Sequence, residues 1–322
     1  MSISKLLKQE IADLPESPGI YKFFDNKNRL LYIGKSKNLK NRVRTYFRKQ
    51  NDETQERTLI MINNIDNIKI EKTDTELEAL ILEDTLIKQH FPPYNVKQKK
   101  FRSQVFLAIS SDNFPAINII TNDQIDFTNQ VFGPFKDKYA AEYILAALQK
   151  ILKLRKCNDP NPQNKCLLAG IDMCVGPCIE KISTEDYKEI IDIAIQFLQG
   201  NFEQIAKIID SQIETRVKTL EFEEAAKLRD LKKFCINFCK RQKFMQDFMH
   251  KDLVITRGKY SFIFLNGNLK KVYKMKVADM NLSKYLNKPE TNTKTDQSSL
   301  MDRAYVVWVW LKQNKAKYQI ID

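Results

Sequence analysis

No apolar run in this 322-residue sequence approaches the roughly 20 residues that a membrane-crossing helix requires. The opening MSISKLLKQEIADLPE also lacks the apolar block of a secretion signal. The sequence therefore predicts a soluble protein of the cytoplasm with no membrane partner. Cysteine is scarce: there are six, and four of them crowd into residues 157–178. That grouping excludes a secreted disulfide framework and leaves thiols that bind metal or serve as small buried apolar groups. Internal repeats are absent as well. What the chain has in excess is positive charge, 53 Lys and Arg against 40 Asp and Glu, for a net +13. Such a surplus suits a polyanion, because each neutralised phosphate releases counterions. A genome biased toward Lys and Asn codons accounts for the charge equally well until a motif decides. With 43% apolar residues, the chain can furnish two or three modest cores.

The stretch GIYKFFDNKNRLLYIG, residues 19–34, sets two β-prone runs around the polar turn Asp25-Asn26-Lys27-Asn28. A four-residue loop predicts that Tyr21 lies directly opposite Tyr32, so that two phenols share one face. Taken alone, such a pair is core packing or a catalytic floor. Downstream, KSKNLKNRVRTYF has Ser36 and Asn38 as caps and places Leu39, Arg42, Val43 and Tyr46 on one helical stripe. A strand is predicted around Ile68 to Lys72, then a helix from about Thr75 to His90, stopped by Pro92-Pro93. Within that helix Glu83 has Ala79, Leu80, Leu86 and Ile87 one turn away on either side. A carboxylate in an apolar stripe must be paired, metal-bound or protonated, because leaving it bare costs several kcal/mol. A structural salt bridge and a metal ligand both satisfy this.

Beyond residue 100 the sequence predicts strands in FLAIS, AINII and QVFGPF and a helix over 138–154. A turn-rich loop, CNDPNPQNKCLLAGIDMCVGPC, comes next, and residues 184–248 read as helical. A hairpin with an Asn266-Gly267 turn is predicted within 250–275, then a polar linker at 289–299 and a final helix over 300–315.

Several of these motifs fall in order. GIY at 19–21, YIG at 32–34, Arg42, Glu83 and Asn95 in PPYN together resemble a GIY-YIG endonuclease domain of the UvrC/Cho type, over roughly residues 12–98. The resemblance implies an α+β protein with four parts. Residues 12–98 would be a small nuclease domain with a mainly antiparallel sheet, and 99–183 a cysteine-containing α/β segment. Residues 184–248 would be a helical region with a UVR motif, and 249–322 the start of a longer relative's second half. It implies a metal-dependent DNA endonuclease making one incision 3′ to a lesion, with damaged duplex DNA and UvrB as partners and no small-molecule substrate. Glu83 would hold one Mg²⁺ or Mn²⁺ ion. Tyr32 would take a proton from water, with Lys35 lowering its pKa, and Arg42 would steady the scissile phosphate. Tyr21, Tyr46 and Asn95 would orient water, phosphate or neighbours, while Lys35, Lys37, Lys40, Arg44 and Arg48 would follow the DNA backbone. One departure is EDTLIK at 83–88, where such sequences usually read EANLIK; it sets a second acid, Asp84, beside the ligand.

Cys157, Cys166, Cys174 and Cys178 resemble the family's four-cysteine segment, which implies a [4Fe-4S] cluster. Zinc and buried free thiols are the alternatives. Cys235 and Cys239 read as core residues. LEFEEAAKLRDLKKF at 220–234 resembles the UVR motif, in which Phe222, Ala225, Ala226 and Leu228 would meet UvrB, with Glu223, Arg229 and Asp230 as charged flanks. A helix of the chain's own core would show the same pattern. The RNase H-like nuclease and helix-hairpin-helix modules of longer relatives are missing from the sequence. A non-cutting scaffold and a UvrB-independent nuclease for branched DNA are the rival functions.

Overall fold

The computed structural model describes residues 5–48, 56–95, 105–125, 130–135, 137–157, 166–275 and 297–321. The chain divides into two compact units, residues 1–101 with 250–322, and residues 102–249. Among the described residues no helix is long and apolar enough to cross a membrane. The polar stretch at 289–299 lies outside them up to residue 296.

In the first unit the elements run α1 (Lys5–Asp13), β1 (Gly19–Phe24), β2 (Leu30–Ser36), α2 (Leu39–Phe47), α3 (Glu56–Asn63), β3 (Asn67–Lys72) and α4 (Glu76–His90). The three strands form an antiparallel sheet in the order β2-β1-β3. Alternation along β1 splits its side chains between two cores. Tyr21 and Phe23 face Leu39, Val43, Met61 and the buried side of α1. Ile20 and Ile33 face Ala79 and Ile87 of α4. Helix α2 begins at Asn38, whose side chain accepts from the Asn41 N–H at 2.9 Å. Helix α4 is capped by Thr75, whose hydroxyl accepts from the Glu78 N–H and donates to the Glu78 carboxylate. It ends at Phe91, left-handed at φ 46°, just ahead of Pro92.

The hairpin register differs from the expectation. Tyr21 pairs with Gly34, and Tyr32 pairs with Phe23. Asp25 explains the shift: its carboxylate accepts from the Lys27 and Arg29 N–H groups and from Arg29 Nε, which draws Arg29 into the loop and leaves a bulge between Phe23 and Phe24. The slip is two residues, an even number, so the face is kept. Tyr21 and Tyr32 remain neighbours on the diagonal, ring centroids 6.1 Å apart.

The second unit holds β4 (Val105–Ile109), β5 (Ile117–Thr121) and β6 (Gln130–Phe135) in the order β5-β4-β6, followed by α5 (Lys138–Leu152), α6 (Thr184–Leu198), α7 (Glu203–Lys218) and α8 (Phe222–His250). One core joins Leu107 and Phe135 of the sheet to Leu148, Phe197, Ile205, Leu228, Cys235 and Phe238 of the helices. The cysteine segment and the helices after it therefore share a core.

The chain then returns to the first unit as β7 (Asp252–Arg257), β8 (Tyr260–Leu265), β9 (Asn268–Tyr273), α9 (Gln297–Asn314) and β10 (Lys317–Ile321). Its sheet is antiparallel in the order β10-β7-β8-β9. Asn266 and Gly267, both at positive φ, close the β8–β9 hairpin. Helix α9 packs on α4. There Arg303 Nε lies 3.8 Å from Asp84, Lys88 bonds the Ser299 carbonyl, and Lys88 Nζ lies 3.5 Å from Asp302.

Candidate active site

Gly34 makes room for Tyr21, and Gly19 for the close approach of β3. A Cβ on Gly34 would fall inside the phenol end of Tyr21, which lies across it in the register, and a Cβ on Gly19 would meet the Glu71 carbonyl. The Tyr21 ring can lie flat over β2 because residue 34 has no side chain. That placement lets its hydroxyl reach Tyr46 Oη, 2.9 Å away. Tyr46 is the hub of the cluster. Its ring centroid is 5.9 Å from Tyr21 and 6.2 Å from Tyr32, and its hydroxyl accepts from Arg42 Nη2 at 3.4 Å. The Arg42 guanidinium sits 5.1 Å over the Tyr46 ring. Contrary to the expectation of an inward stripe, Arg42 is exposed. It folds back along the rim of the tyrosine cluster, where a cation–π contact and the neighbouring phenols outweigh a partial loss of hydration.

Glu83 reaches the same place from α4. It is buried, 8% exposed, and its Oε1 accepts the Lys35 backbone N–H at 3.1 Å, just past the Tyr-Ile-Gly run of β2. The Lys35 side chain turns to Glu76, Nζ to Oε1 3.4 Å, and Lys37 Nζ meets the other Glu76 oxygen at 3.0 Å. Burial works against the charged Glu76 carboxylate, but the Lys37 hydrogen bond and the Lys35 charge outweigh it and hold its pKa below the ordinary value. Glu76 therefore fixes two of the lysines expected to follow DNA, a role that no local pattern in the sequence singles out.

The electrostatics correct one expectation. Lys35 does not lower the Tyr32 pKa. Burial, then the neighbouring Tyr46 and the Glu83 charge, push it up, with Arg42 opposing. Tyr21 is raised too, by burial and by Tyr46 and Tyr32. The buried phenols are thus held protonated beside a carboxylate.

Asn95 is buried and bonds the backbone of β2 on both sides of Ile33, accepting from its N–H at 2.9 Å and donating to its C=O at 2.7 Å. The Tyr94 N–H donates to Leu31 O. Residues 94–95 thereby extend the open edge of the sheet beside Tyr32, so this amide acts by positioning the strand. Asp84 turns away from Glu83, pairing with Lys88 at 2.9 Å and facing Arg303, whose Nη2 also approaches Thr85 Oγ1 at 3.5 Å. The departure from EANLIK thus serves contact with α9. Lys40 and Arg44 are half-buried along α2, and Arg48, just past its end, is exposed.

All four clustered cysteines are free thiols. Cys166 and Cys178 Sγ are 4.0 Å apart. The Cys174 thiol is pushed up by burial and by Cys166, Cys157 and Cys178, while the Gly176 N–H bonded to it opposes the rise. Among the described residues no group of three or more His, Cys, Asp or Glu side chains is arranged to hold a metal ion. In the UVR-like segment Ala225 and Leu228 are buried in the unit's own core, which removes them from any docking surface. Glu223, Ala226, Arg229 and Asp230 are exposed, and Leu220 and Phe222 stand out at the α7–α8 corner, 73% and 60% exposed.

Comparison with known proteins follows this division. Residues 17–96 match the model of the UvrC-like GIY-YIG domain. Residues 104–197 match that of the UvrC/Cho excinuclease middle domain. The UvrABC system protein C of Carboxydothermus hydrogenoformans is 34% identical over 278 residues, covering 83% of this chain and 46% of the relative. That of Moorella thermoacetica is 37% identical over 241 residues, covering 74% and 39%. The chain thus spans less than half the length of these relatives. The magnesium-bound crystal structure of the UvrC GIY-YIG domain from Thermotoga maritima is 35% identical, with a TM-score of 0.26, and the match covers 29% of this chain and 99% of that one.

Proposed function

Because the chain belongs to the UvrC/Cho excinuclease family, whose GIY-YIG and middle domains it carries in order, we propose that it is a metal-dependent endonuclease that makes a single incision 3′ to a lesion in duplex DNA. The observation that carries this reading is the meeting of Glu83, Tyr32, Tyr46, Tyr21 and Arg42 at one end of a small sheet, linked by hydrogen bonds, ring contacts and mutual charge effects.

The donor set fits a hard cation bound by a single carboxylate. Mg²⁺ commonly keeps several waters and takes only one or two protein carboxylates, and Glu83 is a buried carboxylate already oriented by a backbone N–H. A divalent ion there supplies positive charge that activates a water and offsets charge on the phosphate. The chain's own groups do the rest. Arg42, held at the rim by Tyr46, presents an always-charged fork to the scissile phosphate. Tyr32 is held protonated by burial, Tyr46 and the Glu83 charge, and it would accept the water's proton only as the phenolate, a form that Arg42 and the positive charge of a divalent ion would favour. Tyr21 and Tyr46 hold each other and Arg42 in place. Lys35, Lys37, Lys40, Arg44 and Arg48 supply sequence-independent contacts to the DNA backbone.

The same reading assigns UvrB as the protein partner, docking at the exposed Leu220 and Phe222 corner with Glu223, Ala226, Arg229 and Asp230 around it. It assigns the four clustered thiols to a [4Fe-4S] cluster, with zinc as the alternative; the 4.0 Å approach of the Cys166 and Cys178 sulfurs supports a shared ligand.

The test is Mg²⁺-dependent nicking of lesion-bearing duplex by anaerobically purified protein, with and without UvrB, with its visible spectrum recorded. Glu83→Gln and Arg42→Ala should each lower nicking at least about a hundredfold and leave DNA binding nearly unchanged. Wild-type nicking by either variant overturns the assignment. Nicking that ignores UvrB would instead point to a free-standing nuclease.

A further inference from the structure

The first unit contains a cleft of about 250 Å³ lined by Pro18, Lys37, Asp74, Thr75, Glu76, Arg257, Tyr260, Phe262 and Trp310. One wall is the amino-terminal end of α4, and the other is the β7–β8 sheet with α9. Two features distinguish it. First, half-exposed Tyr260 lies 6.5 Å from Phe262, which packs edge-on at 5.8 Å to Trp310, and the Arg257 guanidinium lies 5.5 Å over the Trp310 ring. Phe262 and Trp310 are buried, so Tyr260 is the ring open to a ligand, with a cation on the wall beside it. Second, the two carboxylates of the lining are already matched, Glu76 by Lys35 and Lys37, and Asp74 by Lys274 at 3.1 Å. An anion entering the cleft meets no uncompensated negative charge.

We propose that this cleft holds one unstacked nucleotide of a DNA strand, its base against the Tyr260 ring and its phosphate toward Arg257 and Lys37. Every base has a π-face, so a platform of this kind takes bases without regard to sequence. Glu76 belongs both to the cleft and to the Lys35 contact beside Glu83, which makes a strand leaving the nuclease site the natural occupant. This inference rests on the nuclease reading for its choice of strand, but its test does not use cleavage.

Fluorescence anisotropy with the full chain in EDTA would compare a short oligothymidylate with an abasic strand of equal length and charge. The wild-type protein should bind the base-bearing strand about tenfold more tightly. Tyr260→Ala should bring the two affinities together without changing the abasic one. Arg257→Ala should weaken binding of both strands. Equal binding of the two strands by the wild type, or a preference that survives Tyr260→Ala, overturns the proposal. A base preference in a chain that never nicks duplex would sink the nuclease reading alone.

Discussion

Replacing Asn95 with Ala removes a side chain whose amide bonds the backbone of Ile33, and it should be among the more damaging single changes in the nuclease domain. The amide satisfies both the N–H and the C=O of Ile33, at 2.9 and 2.7 Å, in a position only 3% exposed. Alanine leaves both backbone groups buried on the open edge of β2. An orphaned buried group costs about 1–3 kcal/mol, so the pair comes to about 2–6 kcal/mol. For a unit of this size each kcal/mol lowers Tm by about 2–4 °C, which predicts a fall of about 4–24 °C in circular-dichroism melts. The Ile33 amide should also exchange its hydrogen faster. Asn95→Asp refines the test. Its carboxylate keeps the bond from the Ile33 N–H but sets a negative oxygen against the Ile33 carbonyl, which favours the protonated acid and raises its pKa. Stability should therefore be greatest at low pH, where the acid donates to the carbonyl, and decline as pH rises through the folded-state pKa. If Asn95→Ala melts within about 2 °C of wild type with Ile33 exchange unchanged, the amide is not holding the strand.

Gly34→Ala should displace the Tyr21 ring and break its hydroxyl contact with Tyr46. We expect a loss of about 1–3 kcal/mol in denaturant unfolding together with reduced nicking, and unchanged unfolding would contradict the packing. Burial pushes the Cys235 and Cys239 thiols up to about 12, so near pH 8 they should resist iodoacetamide until the chain unfolds, as read by mass spectrometry. Because their folded pKa lies above the unfolded value, the stability they contribute is complete below about pH 9. It drains away as pH climbs toward about 12. Labelling of the folded protein at the rate of an open thiol would refute their enclosure.

The sequence was most legible where a local pattern and its endpoint agree. Helix α4 could be bounded by Thr75 and Pro92, and Glu83 could be recognised as an enclosed acid, because the cap, the stop and the apolar neighbours all lie within one turn of the residues concerned. The hairpin was legible in its strands and face but not in its register. One carboxylate, Asp25, decides the loop by bonding three donors, and spacing carries no trace of that choice. The short strand β10, KYQII, was missed because it forms only by pairing with β7, some sixty residues earlier. The UVR-like pattern at 222–230 could not reveal which side of α8 meets its own core, and Ala225 and Leu228 turned out to be inside. Asp84 could be read only as an acid beside Glu83, since its partner Arg303 lies more than two hundred positions away. The cleft residues Arg257, Tyr260 and Trp310 belong to no motif, and only tertiary structure brings them to Glu76.

The grip of Arg303 on the Asp84–Thr85 side of α4 spans 218 residues of sequence, and that separation has a meaning for synthesis. A ribosome adding about 5–20 residues per second exposes the tyrosine hairpin and the Glu83 helix about 10–45 s before Arg303 exists. Throughout that interval the outer side of the helix has nothing to lean on. That side of the helix gains its Arg303 contact only after a further 218 residues have been made.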